Sequence, residues 1–283
     1  MKHYKQFGIQ TEPQNNEMIS GLLWQLDLSG ITETDNGLIV YANETKTVSA
    51  KNIRLILDKA ITENIIKKYD LTEEEFEDKN WNEEYEKNVR VIEVSSKIVI
   101  KPSFKDYQLK EGQIIITIDP KMSFGTGEHE TTRLVLLMLE KHTKKDDYVL
   151  DVGTGTGVLA IASVMLGAKK SVGIDNDEWC LLNGSENVKL NGLEDKVEIE
   201  LAELNQLAQK DFDLIVANIN KHILLEICGD LKNKIKQTGT LILSGLLYSD
   251  EFEILEKYSS FGFTLIEKNQ MNEWISLVFK IKN

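Results

Sequence analysis

The chain has little that would hold it outside the cell or in a membrane. Its two cysteines, Cys180 and Cys228, lie far apart with no CxxC spacing. They read as reduced thiols of a cytosolic protein and speak against a metal site. No stretch approaches the roughly 20 apolar residues that span a bilayer. Met1 to Gln10 mixes Lys, His, Tyr and Gln and lacks the apolar block of a secretory signal. A cytoplasmic location with no membrane partner is therefore expected. Positive charge is in deficit: 33 Lys and Arg face 46 Asp and Glu, a formal net charge of −13. That balance repels a phosphate backbone, so direct nucleic-acid binding is not expected. It would attract a basic partner, or serve solubility alone. There is no internal repeat and no low-complexity segment.

What is present suffices for two domains. The chain has 283 residues, of which 41% are hydrophobic. His3 to Ile9 reads as a strand. Asn15 to Leu26 carries Ile19, Leu22, Leu23 and Leu26 at helical spacing. Leu28 to Thr34 and Gly37 to Ala42 flank Asp35-Asn36-Gly37, a strong hairpin signal. Ser49 is placed to cap a helix carrying Ile53, Leu57 and Ala60, and Ile65 to Leu71 returns as a strand. The order βαββαβ over residues 1–70 is the ferredoxin-like pattern. Residues 71–88 are dense in Glu and Asp, and Thr72 precedes Glu75 in capping-box spacing. They read as an exposed linker helix, with Trp81 and Tyr85 packing against one of the domains.

From residue 89 to 283 the pattern changes. Arg90 to Val94 and Lys97 to Lys101 form a hairpin pattern, and Gln113 to Ile118 is a third strand. Then strands and helices alternate: helix His129–Lys141, strand Tyr148–Asp151, helix Val158–Leu166, strand Ser171–Asp175, helix Glu178–Leu190 and strand Val197–Leu201. Strand Asp213–Ala217, helix His222–Lys232, strand Thr240–Ser244 and helix Asp250–Tyr258 follow. Two strands, Phe263–Glu267 and Trp274–Lys280, close the chain. Such alternation predicts an α/β, Rossmann-like domain with a mostly parallel sheet and a ligand beyond the carboxyl ends of its strands.

The central signal is Val149-Leu150-Asp151-Val152-Gly153-Thr154-Gly155-Thr156-Gly157. It ends an apolar strand and opens a helix, and its glycines permit a tight turn and close approach of a ligand. A dinucleotide fingerprint reads G-x-G-x-x-G and offers amides to a pyrophosphate. Here the third glycine falls one residue early, and Asp151 stands two residues before the first. A carboxylate there repels pyrophosphate and favours a cationic ligand. S-adenosyl-L-methionine has a sulfonium, an ammonium and no phosphate. Asp175, at the end of the next strand, can accept hydrogen bonds from both ribose hydroxyls, as in nicotinamide enzymes. Asn176 and Asp177 read as helix caps. Asn218 follows the apolar run Ile215-Val216-Ala217 and faces the same crevice; the competing reading is an N-cap for a helix starting near Lys221.

The run Phe124-Gly125-Thr126-Gly127-Glu128-His129-Glu130-Thr131-Thr132 precedes a helix. Its hydroxyls suit a lid over the donor or a set of caps, and His129 is a weak candidate for a base. Together with Asp119-Pro120, this run resembles the signature of the ribosomal protein lysine methyltransferases, which modify large-subunit ribosomal protein eleven. The resemblance extends to the Trp81 to Tyr85 segment, Ala217-Asn218-Ile219, Leu243-Ser244-Gly245 and Glu273-Trp274. Glu130 replaces the family's common proline, and Asn220-Lys221 replace a commoner Leu-Ala pair.

The resemblance implies a class I methyltransferase domain (89–283) behind a substrate-recognition domain (1–70) and the linker. Donor contacts are implied at Thr132, Gly153, Asp175 and Asn218, beside the glycine-loop residues Asp151 and Gly155. Phe124, Gly125, Thr126, Gly127 and His129 form the lid. The implied acceptors are lysine side chains, with the N-terminal amine as a further one, of the ribosomal protein, free or on the ribosome. Asn218 would orient the amine. Two alternatives are methyl transfer to another protein or small amine, and a binding module without activity. Nicotinamide oxidation is disfavoured by the glycine spacing and Asp151.

Overall fold

The structure, a computed structural model, describes residues 3–26, 28, 30–34, 36–43, 48–77, 90–119, 125 and 127–282. Trp81, Tyr85, Phe124 and Thr126 lie outside these residues. The chain divides into two compact units, Met1–Asn88 and Val89–Asn283.

The first unit is ferredoxin-like. Strands β1 (His3–Glu12), β2 (Gly30–Thr34), β3 (Gly37–Asn43) and β4 (Lys68–Glu77) form an antiparallel sheet in the order β2-β3-β1-β4. Helices α1 (Asn16–Leu23) and α2 (Ala50–Thr62) supply its second layer. As the sequence implies, Ser49 caps α2 by accepting the Asn52 N–H, and Ile53, Leu57 and Ala60 form the buried stripe. Thr34 pairs with Gly37 across the expected hairpin turn.

The expected linker helix needs correction at its start. Residues Leu71 to Glu77 continue strand β4, paired with β1 from His3↔Glu77 to Glu12↔Lys68. Tyr69 and Leu71 pack against the core while alternate residues face water. A long antiparallel partner outweighs a local capping-box signal, and acidic side chains suit an edge strand, where they discourage further pairing. Lys5 pairs with Glu73 at 3.1 Å across that seam.

The second unit opens with a three-stranded sheet of β5 (Ile92–Glu93), β6 (Ile98–Lys101) and β7 (Ile114–Thr117). Helix α3 (Glu130–His142) leads to β8 (Tyr148–Val152), and α4 (Val158–Met165) to β9 (Lys170–Asp175). Helix α5 (Glu178–Leu190), β10 (Val197–Leu201) and β11 (Phe212–Asn218) follow. The expected helix over 222–232 is two pieces, α6 (Lys221–Glu226) and α7 (Cys228–Lys234). They meet at Ile227, whose backbone has ψ 4° yet still links Ile223 and Leu231 by hydrogen bonds. Strand β12 (Ile235–Leu247), helix α8 (Glu251–Ser260), β13 (Phe263–Met271) and β14 (Trp274–Ile281) complete the chain.

The large sheet has the order β10-β9-β8-β11-β12-β14-β13. Strands β8 to β12 run parallel, and β14 runs antiparallel to both neighbours. The order reverses at β8/β11, so Gly153 and Asn218 stand at the switch point, where open α/β sheets bind ligands. Buried aliphatic side chains cover both faces of the sheet. Among the described residues, no helix is long and apolar enough to cross a membrane.

Candidate active site

The glycine turn follows β8. Gly153, Gly155 and Gly157 have φ of 72°, 54° and 80°, the left-handed region that favours glycine. A side chain at Gly153 would overlap Ile219, just past β11. Gly153 and Thr154 both donate their N–H to the Ile174 carbonyl, at 2.9 and 3.0 Å. Gly155 donates to Oδ2 of Asp175 at 3.0 Å. The turn is thus fastened to the end of β9, and α4 starts at Val158 with Gly157 as its N-cap.

A cavity of about 730 Å3 opens over these strand ends. Its lining contains Gly153, Gly155, Asp175 and Asn218, four of the donor residues expected from sequence. Asn176, Cys180, Ala202, Glu203, Leu204 and Asn205 form one end, and His129, Thr131, Gly245 and Trp274 line it as well. Ile223, Glu226, Ile227 and Asp230 present one stripe of α6 and α7. Among the described residues the lining carries four carboxylates and no lysine or arginine. Its charge suits a cation and opposes a pyrophosphate.

Thr132 and Asp151 stand behind the cavity wall. Asp151 is fully buried. Its Oδ2 accepts the Thr154 hydroxyl at 2.7 Å and the Ala160 N–H at 3.2 Å, while Oδ1 has no partner among the described residues. Burial pushes the Asp151 carboxyl up to about 7; the two hydrogen bonds act in the opposite direction. Thr132 Oγ1 and Asn218 Oδ1 are likewise buried without a partner among the described residues. Unpaired buried acceptors are costly, and these three, in or next to the cavity wall, fit a ligand that brings ammonium and hydroxyl donors.

The alternative role for Asn218 is not observed. The N-cap of α6 is Asn220, which makes no side-chain capping bond. Asn218 is the last residue of β11, beside Ser244 of β12. Gly245, φ 79°, lets the next backbone pass so close to Ile219 that a side chain would overlap its carbonyl. Asp177 does cap α5, accepting the Trp179 N–H at 2.8 Å, as expected.

His129 is a helix cap rather than a free base. Its Nδ1 accepts the Thr131 N–H at 3.3 Å and lies 2.9 Å from the Thr131 hydroxyl oxygen. Glu130 begins α3, a position where proline is favoured because its missing N–H costs nothing. A carboxylate suits that end by charge. A backbone hydrogen bond, then Asn272, which donates to it at 3.1 Å, hold its carboxyl below the usual range. Of the expected lid residues, Gly125 and Gly127 each lie against a neighbouring element. The Thr156 hydroxyl donates to the Gly125 carbonyl at 2.7 Å, and a side chain at Gly127 would overlap Ile100.

One set of positioning residues escaped the sequence reading. Asn183 and Asn187 of α5 and Asn191, its C-cap, lie four apart. Asn191 pairs with both backbone groups of Thr117, at 2.9 and 2.7 Å. Asn187 accepts the Asp119 N–H and donates to the Thr156 carbonyl, both at 2.9 Å, and Asn183 donates to the Asp119 carbonyl at 2.9 Å. This ladder ties Thr117 and Asp119 to the glycine turn. The i, i+4 asparagines were its only signal in the sequence.

Comparison with known proteins identifies the family. The family model described as "Ribosomal protein L11 methyltransferase (PrmA)" matches residues 3–282. A ribosomal protein L11 methyltransferase of Alkaliphilus oremlandii is 36% identical over 208 residues, 74% of this chain; the matched part spans 66% of that relative's length. The relative from Chlorobaculum tepidum is 34% identical over 272 residues, covering 94% of this chain and 93% of its own. A crystal structure of a ribosomal protein L11 methylase from Lactobacillus delbrueckii subsp. bulgaricus is 35% identical, with a TM-score of 0.65, and covers 69% of this chain and 100% of its own. Fold, glycine turn and whole-chain match agree: this chain belongs to the ribosomal protein L11 methyltransferase family.

Proposed function

We propose that the chain transfers methyl groups from S-adenosyl-L-methionine to amino groups of ribosomal protein L11 in the cytoplasm. The acceptors are lysine side chains, with the N-terminal amine as a further one. The family match over residues 3–282 is the observation that carries this reading. The cavity's carboxylates and unpaired buried acceptors support it independently.

When bound, the donor supplies a methyl group made electrophilic by its sulfonium. The chain's own residues bind and orient. Gly153 and Gly155 would let the backbone approach the ligand closely, and Asp175, which lines the same cavity, would accept from the ribose hydroxyls. Asp151 and Thr132 offer their unpaired oxygens behind the wall. Asn218 Oδ1, unpaired among the described residues, would accept an N–H of the incoming amine and so orient it. A lysine amine at pH 7 must first lose a proton, which costs roughly 4.6 kcal/mol from its reference pKa. Desolvation beside a cation lowers that cost. Catalysis on this account is positioning and electrostatics, with no covalent enzyme intermediate.

The N-terminal unit serves as the recognition domain for the ribosomal protein, free or on the ribosome. Its ferredoxin-like sheet and separate core support that role, as does the clustering of the donor residues in the second unit. Labelled methyl transfer into undermethylated L11, run beside calorimetric donor binding, tests the whole reading.

A further inference from the structure

The strand order gives the cavity two ends. Asp175 and Glu203 follow β9 and β10 at one edge, with Gly153 and Asn218 central. Gly245 of β12 and Trp274 of β14 stand beyond Asn218 on the other side. Because β14 runs antiparallel, its first residue, Trp274, lies beside Leu247, at the same edge as the carboxyl ends of the parallel strands. The His129 ring meets the Trp274 ring edge-to-face, with centroids 4.9 Å apart and planes at 67°. Capping of α3 fixes the histidine, so the tryptophan is held in turn.

Around Trp274 the lining includes the His129 ring, Thr131 and Gly245. We infer that Trp274, braced by His129, is the acceptor-end wall, a specificity-determining residue that takes the aliphatic ammonium of the substrate and its partly methylated forms. This rests on the methyl-transfer reading above. Each methylation replaces an N–H, so hydrogen bonds to an amine weaken from round to round. Attraction to an aromatic face does not depend on N–H groups and persists for a fully substituted ammonium. In each round the amine lone pair forms an N–C bond, the donor's S–C bond breaks with its electrons on sulfur, and one proton leaves the amine to solvent.

The test uses the full-length protein with Trp274→Phe and Trp274→Leu. Phe keeps a ring, and Leu keeps apolar bulk without one. With undermethylated L11 as substrate, Leu should raise KM about five- to thirtyfold, Phe about threefold or less. Donor affinity by calorimetry should stay within about twofold for both variants. Equal KM for Phe and Leu overturns the inference, as does a parallel loss of donor affinity, which would assign Trp274 to the donor end.

A second readout needs no turnover and no stable Leu variant. Trimethyllysine amide should shift one of the four resonances of the fluorotryptophan-labelled wild-type protein, the one that Trp274→Phe removes. No shift of that resonance at saturating probe also overturns the inference. Failure of the wild type to methylate any amine would defeat the methyl-transfer reading; normal transfer with an unmoved Trp274 resonance defeats this inference alone.

Discussion

Asp175 holds the glycine turn with one carboxylate oxygen and its own loop with the other. Oδ2 accepts the Gly155 N–H at 3.0 Å, and Oδ1 accepts the Asp177 N–H at 3.2 Å. A carboxylate has about four acceptor sites, so two remain for ribose hydroxyls. The acid therefore shapes the site and keeps acceptor sites for a ligand.

Asp175→Ala should weaken S-adenosyl-L-methionine binding by at least roughly tenfold, since each charge-assisted bond contributes about 1.5–3 kcal/mol. It should also lower the melting temperature slightly through loss of the Gly155 brace. Asp175→Asn, which keeps one acceptor oxygen, should fall between. Unchanged calorimetric affinity in the alanine variant would remove Asp175 from the donor site.

Asn218→Ala separates orientation from stability. Its Oδ1 is already unpaired among the described residues and it caps no helix, so the variant should melt within a degree or so of wild type. Turnover should fall at least about tenfold, more than donor affinity, as for an interaction made mainly in the transition state. Equal losses in melting temperature and activity would make it a structural residue.

Asp151 should make donor binding depend on pH. Burial raises its carboxyl from 3.8 to about 7 in the folded chain. A raised folded pKa stabilises below the unfolded value, and that contribution is lost as pH rises through about 7. Without donor, the protein should therefore lose stability between about pH 4 and pH 7 relative to Asp151→Asn. A cation in the cavity favours the ionised acid, so donor binding should release protons below pH 7 and tighten as pH rises. Calorimetry in two buffers of different ionisation enthalpy measures this. An equal proton release in Asp151→Asn would assign it to another group.

The elements legible in the sequence are those written locally. Ser49 with Ile53, Leu57 and Ala60, the glycine turn, and Asp177 as a cap each read from a few neighbouring residues, and each is present. What was missed is settled by distant partners. Leu71 to Glu77 carries a helix-start signal, yet β1, 62 to 74 residues earlier from Ile9↔Leu71 to His3↔Glu77, draws it into a sheet. Asn187 and Asn191 look like solvated helix positions until Thr117 and Asp119 pack beside them. His129 is an uncommon capping residue, so its cap was hidden behind a catalytic reading.

Removing the N-terminal unit tests the division of labour. A chain starting near Val89 keeps the second unit and its core whole. It should bind S-adenosyl-L-methionine with near-native affinity and methylate L11 far more slowly, having lost the local concentration that a tethered domain provides. Because β4 runs to Glu77, the control that retains the linker should begin at Asp78 rather than at Leu71. Full-length rates from either chain would end the recognition role.

The most direct measurement is methyl transfer itself. Purified full-length protein, undermethylated L11 and isotope-labelled S-adenosyl-L-methionine are incubated together, and the product is mapped by mass spectrometry. The account predicts labelled methyl groups on amines of L11, lysine side chains first, with transfer lost in Asn218→Ala. A chain that binds the donor by calorimetry yet leaves every L11 amine unlabelled would contradict it.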